Sequence, residues 1–374
     1  MSGDRLGSTT TCSGPWVLAL FAFAAFAAGC GSTLGAPDGT LGKVGGAHDG
    51  GVGATDAGAT PTLDARADEG TVGPSHDAGV TSPDVGREDT GSPGTPTPDA
   101  DVAPDASSTG ACYSEPYFPT VSIDDLKSAY DSSAWLATSL TVMQRRYPLG
   151  DFVLEGEKTD SQLPGFADPG AWDSQMMALM TMVHEESHGW DFDHSGADTH
   201  TYVVGATTTI TVPQLPNMWP RSEIVPLLTD GVTSEYDSTY LTGEQGTYDI
   251  IFLAEELNAY INGLAAITAV GDQITSGISA RDAVPAQLYW LELYLRVGRT
   301  NHPTEYAAMK ADPNWQKFVR LEWARGHFWD VQAKPNPNLT ISADTIWPDT
   351  LNADNEAELV QFTGVSIDVM TCTP

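Results

Sequence analysis

A long stretch near the start of this chain cannot form a packed core. Between Gly31 and Gly110 the sequence contains no Phe, Trp, Tyr or Ile, and its 13 acidic residues are accompanied by only three Lys or Arg. Low hydrophobicity with net negative charge and frequent Gly and Pro is typical of a disordered, self-repelling tether. We therefore expect residues 30–110 to be a disordered linker and residues 111–374 to form one globular domain, which is long enough for a large core.

The first thirty residues have the organisation of an export signal. A short leading region contains Arg5, and an apolar run from Trp16 to Ala28 is followed closely by Cys30. The run is too short for a permanent membrane-spanning helix, which favours a cleaved signal peptide over residues 1–29. The small residues directly before the cysteine resemble the lipobox of bacterial lipoproteins. That resemblance implies lipidation of Cys30 and a location at the bacterial outer membrane or cell surface; ordinary secretion is the alternative.

Charge and cysteine content limit which partners the chain can bind and which disulfides it can form. Lys and Arg total 17 against 50 Asp and Glu, so we expect no nucleic-acid partner, because phosphate binding needs clustered cations. Contact with a membrane is expected only through the lipid at Cys30. Four cysteines are too few for a disulfide scaffold. Cys112 and Cys372 lie at the two ends of the globular domain, and an intrachain disulfide between them is expected in an oxidising compartment, with two free thiols as the alternative.

Hydrophobic spacing after residue 111 indicates more helix than strand. Helical patterns cover residues 122–146, 171–189, 248–270, 287–297 and 315–333, and β patterns cover residues 152–154 and 201–212. Because the strands do not alternate regularly with the helices, the order of elements predicts an α+β fold that is mostly helical with a small sheet.

The helix predicted over residues 171–189 contains the sequence HEESH, from His184 to His188. Residues four apart lie one above the other on a helix, so both imidazoles can reach a single Zn²⁺. Glu185 points about 100° around the helix from His184, where it can reach a water held by the metal rather than the metal itself. The motif therefore predicts a zinc site in which Glu185 is the general base.

The residues that follow the motif add a family resemblance. The sequence HEESHGWD, from His184 to Asp191, resembles the HExxHGFD of neprilysin-type zinc peptidases, with Trp190 in place of Phe. The likeness is short, so it indicates the broader gluzincin group of zinc metallopeptidases, whose two helical histidines are joined by a glutamate from a later helix. The resemblance implies a zincin-like fold, zinc as the cofactor and hydrolysis of a peptide or protein substrate.

Two regions compete to supply the third metal ligand. His194 lies six residues after His188, which is the spacing of the third histidine in metzincins, but Asp191 stands where that pattern has Gly. The alternative is the pair Glu255 and Glu256 on the helix predicted over 248–270.

Helical geometry distinguishes the two glutamates. Glu256 shares an apolar face with Phe252, where a carboxylate is costly unless it is paired or bound to metal. Glu255 shares its face with Asn258 and Asn262, which suggests a solvated stripe. We therefore predict His184, His188 and Glu256 as the metal ligands, ahead of His194 and Glu255.

Amide hydrolysis usually employs a further donor to stabilise the transition state. The first candidate for this role is His327, on the Trp-rich helix over 315–333, and a packed core histidine is its alternative interpretation. The predicted function is a surface-tethered or secreted zinc metallopeptidase. The alternatives are a non-enzymatic surface lipoprotein for binding or adhesion, with a structural or vestigial metal site, and a metallohydrolase that acts on a non-peptide amide.

Overall fold

Helices account for most of the chain that the structure describes. The computed structural model describes residues 113–366, and these are mostly helical with one two-stranded sheet, which confirms the predicted α+β composition. Four predictions fall on residues outside the described range: the signal peptide over 1–29, lipidation of Cys30, the tether over 30–110 and the disulfide between Cys112 and Cys372.

The helices are α1 (Asp124–Ser128), α2 (Trp135–Arg146), α3 (Pro148–Gly156), α4 (Leu163–Phe166), α5 (Trp172–Asp193), α6 (Glu235–Tyr240), α7 (Ile250–Ala269), α8 (Ala283–Asn301), α9 (Pro303–Ala311), α10 (Pro313–Ala333), α11 (Ala343–Thr350) and α12 (Ala353–Thr363). The strands are β1 (Thr199–Gly205) and β2 (Thr208–Pro213). The two strands pair antiparallel as a hairpin, with Val203 opposite Thr209, in the region where the pattern over 201–212 predicted either a single strand or a hairpin.

Two local predictions of secondary structure were wrong. Residues 152–154, predicted as a strand, belong to α3, because Pro148 occupies the first turn after an extended Tyr147 and its fixed φ favours a helix there. The helix predicted over 122–146 is interrupted between α1 and α2. The break is stabilised by the Asp131 side chain, which accepts a hydrogen bond from the Ser133 amide and so favours a new helical start.

Helix α7 is the centre of the core. It is the one helix among residues 113–366 that is long and apolar enough to cross a membrane, but 83% of its most apolar window is buried inside the protein. α5, α8 and α10 all pack against it, which identifies it as the core helix of this domain.

α5 and α7 approach each other closely at a glycine. A Cβ on Gly263 would lie 3.0 Å from the Met180 carbonyl oxygen and 3.3 Å from the Cβ of His184. Because glycine lacks that atom, the two helices come together where α5 carries the HEESH sequence. The fold therefore places the predicted ligand helices side by side.

Candidate metal centre

Three side chains from α5 and α7 converge on one point. The Nε2 atoms of His184 and His188 lie 3.2 Å apart, and each lies 3.8 Å from Glu256 Oε2. Ligand atoms that share one tetrahedral zinc at 2.0–2.1 Å are about 3.3–3.4 Å apart. The separations therefore fit a single metal ion. Within residues 113–366, these three side chains are the group of three or more His, Cys, Asp or Glu residues whose ligand atoms lie close enough together to hold a metal ion.

Unpaired carboxylate oxygens support the same interpretation. Glu256 Oε2 and Glu185 Oε1 are buried atoms that have no hydrogen-bond partner among the described residues. Burying an anionic oxygen without a partner is costly, and a cation bound between the helices would remove that cost for Glu256. The residues present therefore fit a metal ion.

The far sides of the imidazoles are anchored so that both Nε2 atoms face the common point. His188 Nδ1 lies 3.2 Å from Glu255 Oε1, and His184 donates a hydrogen bond to the backbone carbonyl of Ala259. Partners of this kind fix the ring orientation and the tautomer of a metal-binding histidine. Glu255 is thus placed as the partner of His188 rather than as a member of the cluster.

The solvated stripe predicted on α7 is absent from the described structure. Glu255 is 3% exposed, and Asn258 and Asn262 are completely buried. The prediction failed because α5 and α10 cover this face of α7, and their polar groups form hydrogen bonds or ion pairs with its side chains. Sequence reasoning therefore missed the role of Glu255, although its position beside Glu256 was the available signal.

A network behind the centre connects three helices. Arg325 of α10 donates to Asn258 Oδ1 at 3.0 Å and to Asn262 Oδ1 at 2.6 Å. Asn258 then donates to Asp191 Oδ2 at 2.9 Å, and Asn262 donates to Ser187 Oγ at 3.0 Å. Because Asp191 and Ser187 belong to α5, the two asparagines fix the position of the histidine-bearing helix against α7.

Burial and carboxylate charge shift the pKa values of the centre. Burial opposes protonation of His188, but the hydrogen bond to Glu255 and the nearby carboxylates outweigh it and raise its pKa to about 10. Burial lowers the pKa of His184 well below its ordinary value and raises that of Glu185 to about 7. The negative potential that holds a proton on His188 would equally favour a metal cation.

Aromatic side chains close one side of the centre. The Tyr260 ring packs edge-on against His184, with centroids 4.5 Å apart, and its hydroxyl lies 2.7 Å from that of Tyr240. Tyr240 also donates a hydrogen bond to Glu256, and the Arg221 guanidinium favours the ionised form of the same carboxylate, but burial outweighs both and raises its pKa. Tyr240 therefore orients the carboxylate that faces the histidines.

The structure places the other two candidate histidines elsewhere. His194 stacks on Trp190, with ring centroids 3.7 Å apart, and its Nδ1 lies 2.7 Å from the Trp190 carbonyl oxygen. His327 stacks on Trp323 and meets the edge of Trp347, and burial lowers its pKa. His194 is thus not part of the cluster, and the catalytic role of His327, which has aromatic rather than cluster contacts, stays a prediction.

The fold and the centre together define a mostly helical α+β domain with a candidate His-His-Glu metal site. Comparison of the chain with protein-family models, with curated proteins and with solved structures finds no match. Function is therefore inferred from the chemistry of the centre.

Proposed function

We propose that this protein is a zinc-dependent metallopeptidase with a zincin-like fold, in which His184, His188 and Glu256 hold the metal and Glu185 is the general base. One observation carries the proposal. The two imidazole Nε2 atoms and Glu256 Oε2 converge, while the neighbouring Glu185 keeps a buried carboxylate oxygen that has no hydrogen-bond partner among residues 113–366.

The chemistry divides between the ion and the protein. A zinc ion held there would supply Lewis-acid activation of a water molecule and of the substrate carbonyl. Glu185 is one residue after His184. The charges of His188, Glu256 and Glu255 act on its carboxylate, so Glu185 shares the electrostatic environment of the metal ligands. It would accept a proton from the attacking water and deliver it to the leaving amine.

The number of protein ligands favours catalysis over a purely structural metal site. Structural zinc sites are closed by four protein ligands, whereas catalytic sites use three and leave one position for water or substrate. The cluster found within residues 113–366 has three members. Glu255 is occupied with His188 Nδ1, and His194 bonds to its own helix backbone, so neither supplies a fourth ligand.

The proposed location follows from the N-terminal sequence. A signal peptide over 1–29 and lipid on Cys30 would anchor the chain at the bacterial outer membrane or cell surface, and the acidic tether over 30–110 would hold the domain away from the bilayer. A peptide or protein would then be the substrate. Replacing Cys30 by Ser should release the protein from the membrane fraction, and unchanged membrane association would contradict lipid anchoring.

The test of the enzyme is a metal analysis combined with hydrolysis of casein or gelatin. Wild type should contain about one zinc per chain and cleave the substrate. Glu185→Gln should keep the zinc and lose about 10²- to 10⁴-fold in rate, because it removes the proton acceptor without removing a ligand. Glu244→Gln, at an exposed position, is the matched control and should behave as wild type.

Three outcomes would overturn the proposal. Absence of bound zinc would remove the cofactor, and equal rates for wild type and Glu185→Gln would remove the general base. Zinc binding without hydrolysis of any peptide by the wild type would favour a non-enzymatic surface lipoprotein with a structural metal site.

A further inference from the structure

The accessible face of α7 runs through the proposed metal ligand on that helix. All 20 residues of α7 are buried except Phe252, Glu256 and Tyr260. These three are spaced four apart and therefore lie on one face of the helix. Tyr260 is thus the next residue along this face from Glu256, about 6 Å further along the helix axis, and it borders the part of the centre that solvent reaches.

Tyr260 connects ligands from both helices. Its ring packs edge-on against His184 of α5, with the ring centroids 4.5 Å apart. Its hydroxyl lies 2.7 Å from the Tyr240 hydroxyl, and Tyr240 in turn donates a hydrogen bond to Glu256. One side chain is therefore in contact with a histidine ligand and, through a second hydroxyl, with the carboxylate ligand.

The number of available protons fixes the direction of these hydrogen bonds. An ionised carboxylate only accepts hydrogen bonds, and a tyrosine hydroxyl carries a single proton. The proton of Tyr240 is used in its bond to Glu256, so the contact between the two hydroxyls uses the proton of Tyr260. Donation therefore runs from Tyr260 to Tyr240 and from Tyr240 to Glu256, and each bond polarises the next one.

A buried cation holds the middle member of this chain in place. The Arg221 guanidinium lies 5.3 Å from the centre of the Tyr240 ring, a separation at which a cation is attracted to an aromatic face. Arg221 is itself completely buried, and its Nε donates to the Gln245 carbonyl at 2.8 Å. Arg221 therefore fixes the Tyr240 ring, and with it the hydroxyl that bonds to Glu256.

We propose that Tyr260 is a positioning residue of the metal centre, which orients Glu256 by donating through Tyr240 while its ring holds His184. The inference rests on the proposed metal ligands and not on the reaction that they would catalyse. The alternative is a direct role, in which the Tyr260 hydroxyl is the donor that stabilises the transition state, as predicted for His327. The two roles are separable because the first acts on the metal and the second acts on the substrate.

The experiment removes single oxygen atoms from the full chain and measures zinc affinity. Tyr260→Phe keeps the ring against His184 and should lower zinc affinity about tenfold, whereas Tyr240→Phe should lower it by about 10- to 100-fold. The double variant should bind zinc no more weakly than Tyr240→Phe alone, because Tyr260 acts through Tyr240. Tyr236→Phe is the matched control and should bind zinc as wild type does, since its ring meets the edge of Tyr260 but its hydroxyl lies 3.4 Å from Ser279 Oγ.

Cobalt in place of zinc gives a second readout, which a change in stability alone does not move. The visible absorption bands of the cobalt-loaded chain depend on the coordination geometry, so they should shift in Tyr260→Phe and stay unchanged in Tyr236→Phe. A lower Tm of zinc-free Tyr260→Phe, combined with the affinity and spectrum of wild type, would overturn the proposal, because the hydroxyl would then only stabilise the fold.

The remaining outcomes separate this proposal from the enzymatic one. Additive losses of zinc affinity in Tyr240→Phe and Tyr260→Phe would overturn donation through Tyr240. Unchanged zinc affinity with a lower kcat in Tyr260→Phe would overturn it in favour of direct contact with the substrate. Failure of the wild type to bind zinc would overturn the metal centre and the positioning role together. The expected series of zinc affinities without hydrolysis of any peptide would support the role of Tyr260 and overturn only the peptidase.

Discussion

Replacing Glu255 by Gln should weaken metal binding without removing a ligand. Glu255 Oε1 lies 3.2 Å from His188 Nδ1, and the residue is 3% exposed. The carboxylate accepts from the ring and makes Nε2 a better donor to a metal, whereas an amide of the same shape holds the ring more weakly. Glutamine preserves the volume of the side chain, so the helix packing should survive.

The expected loss follows from the behaviour of such partners in other zinc sites. Removing the carboxylate that anchors a metal-binding histidine costs about 10- to 100-fold in affinity, which is about 1.4–2.7 kcal/mol. Deleting a direct ligand should cost more. Glu256→Gln, the adjacent position on α7, is therefore the matched comparison and should lose more affinity than Glu255→Gln.

The assay is competition for zinc between the protein and a chromophoric chelator at fixed pH, with a thermal melt of each zinc-free variant to exclude a folding defect. A Glu255→Gln affinity within twofold of wild type would refute the role of Glu255 in holding His188. A loss of zinc affinity equal to that of Glu256→Gln would also refute this role, because it would show that Glu255 binds the metal directly instead of orienting His188.

Two further predictions concern the stability of the domain. Gly298→Ala should destabilise it by about 1–3 kcal/mol in urea unfolding, because the new Cβ would lie 2.3 Å from the Trp219 ring, whereas Gly165→Ala, with nothing within 4 Å, should be neutral. Burial opposes the ionisation of Asp272, but its hydrogen bonds to Arg146 and Gln273 lower its pKa. This stabilisation is complete above the unfolded pKa and is lost as the pH falls through the folded one. Asp272→Asn should remove that acid dependence and cost about 1 kcal/mol at neutral pH, since the carboxylate is half-exposed and screened.

A specific result would contradict each of these two predictions. Equal unfolding midpoints for Gly298→Ala and Gly165→Ala would show that the Trp219 ring moves aside without cost. An Asp272→Asn variant with the same pH profile as wild type between pH 5 and about 2 would show that other carboxylates govern acid unfolding.

The sequence was sufficient to predict the elements that hold the centre. HEESH has the spacing that brings two histidines onto one face of a helix, and the structure does bring His184 and His188 together. Glu256 could be preferred over His194 because a carboxylate on an apolar face needs a partner. The structure brings Glu256 to the same point and leaves His194 stacked on Trp190.

What the sequence could not predict depends on residues far apart in the chain. Periodicity placed Glu255, Asn258 and Asn262 on one face of α7, but it could not show that Arg325 and Asp191 cover that face. Asn258 is 67 positions from each of them. Short apolar runs are ambiguous for a related reason, since three residues such as 152–154 do not distinguish a strand from part of a helix.

The hydropathy of helix α7 also affects how the chain would be exported across a membrane. A segment of this length and hydropathy is the kind that a translocon releases sideways into lipid, and ionised or amide side chains within it raise the free energy of that insertion. If the protein is exported, Glu255, Glu256 and the two asparagines would let α7 pass through rather than lodge as a stop-transfer sequence. Leucine at all four positions should then leave the chain inserted in the membrane that it crosses, before the domain can fold.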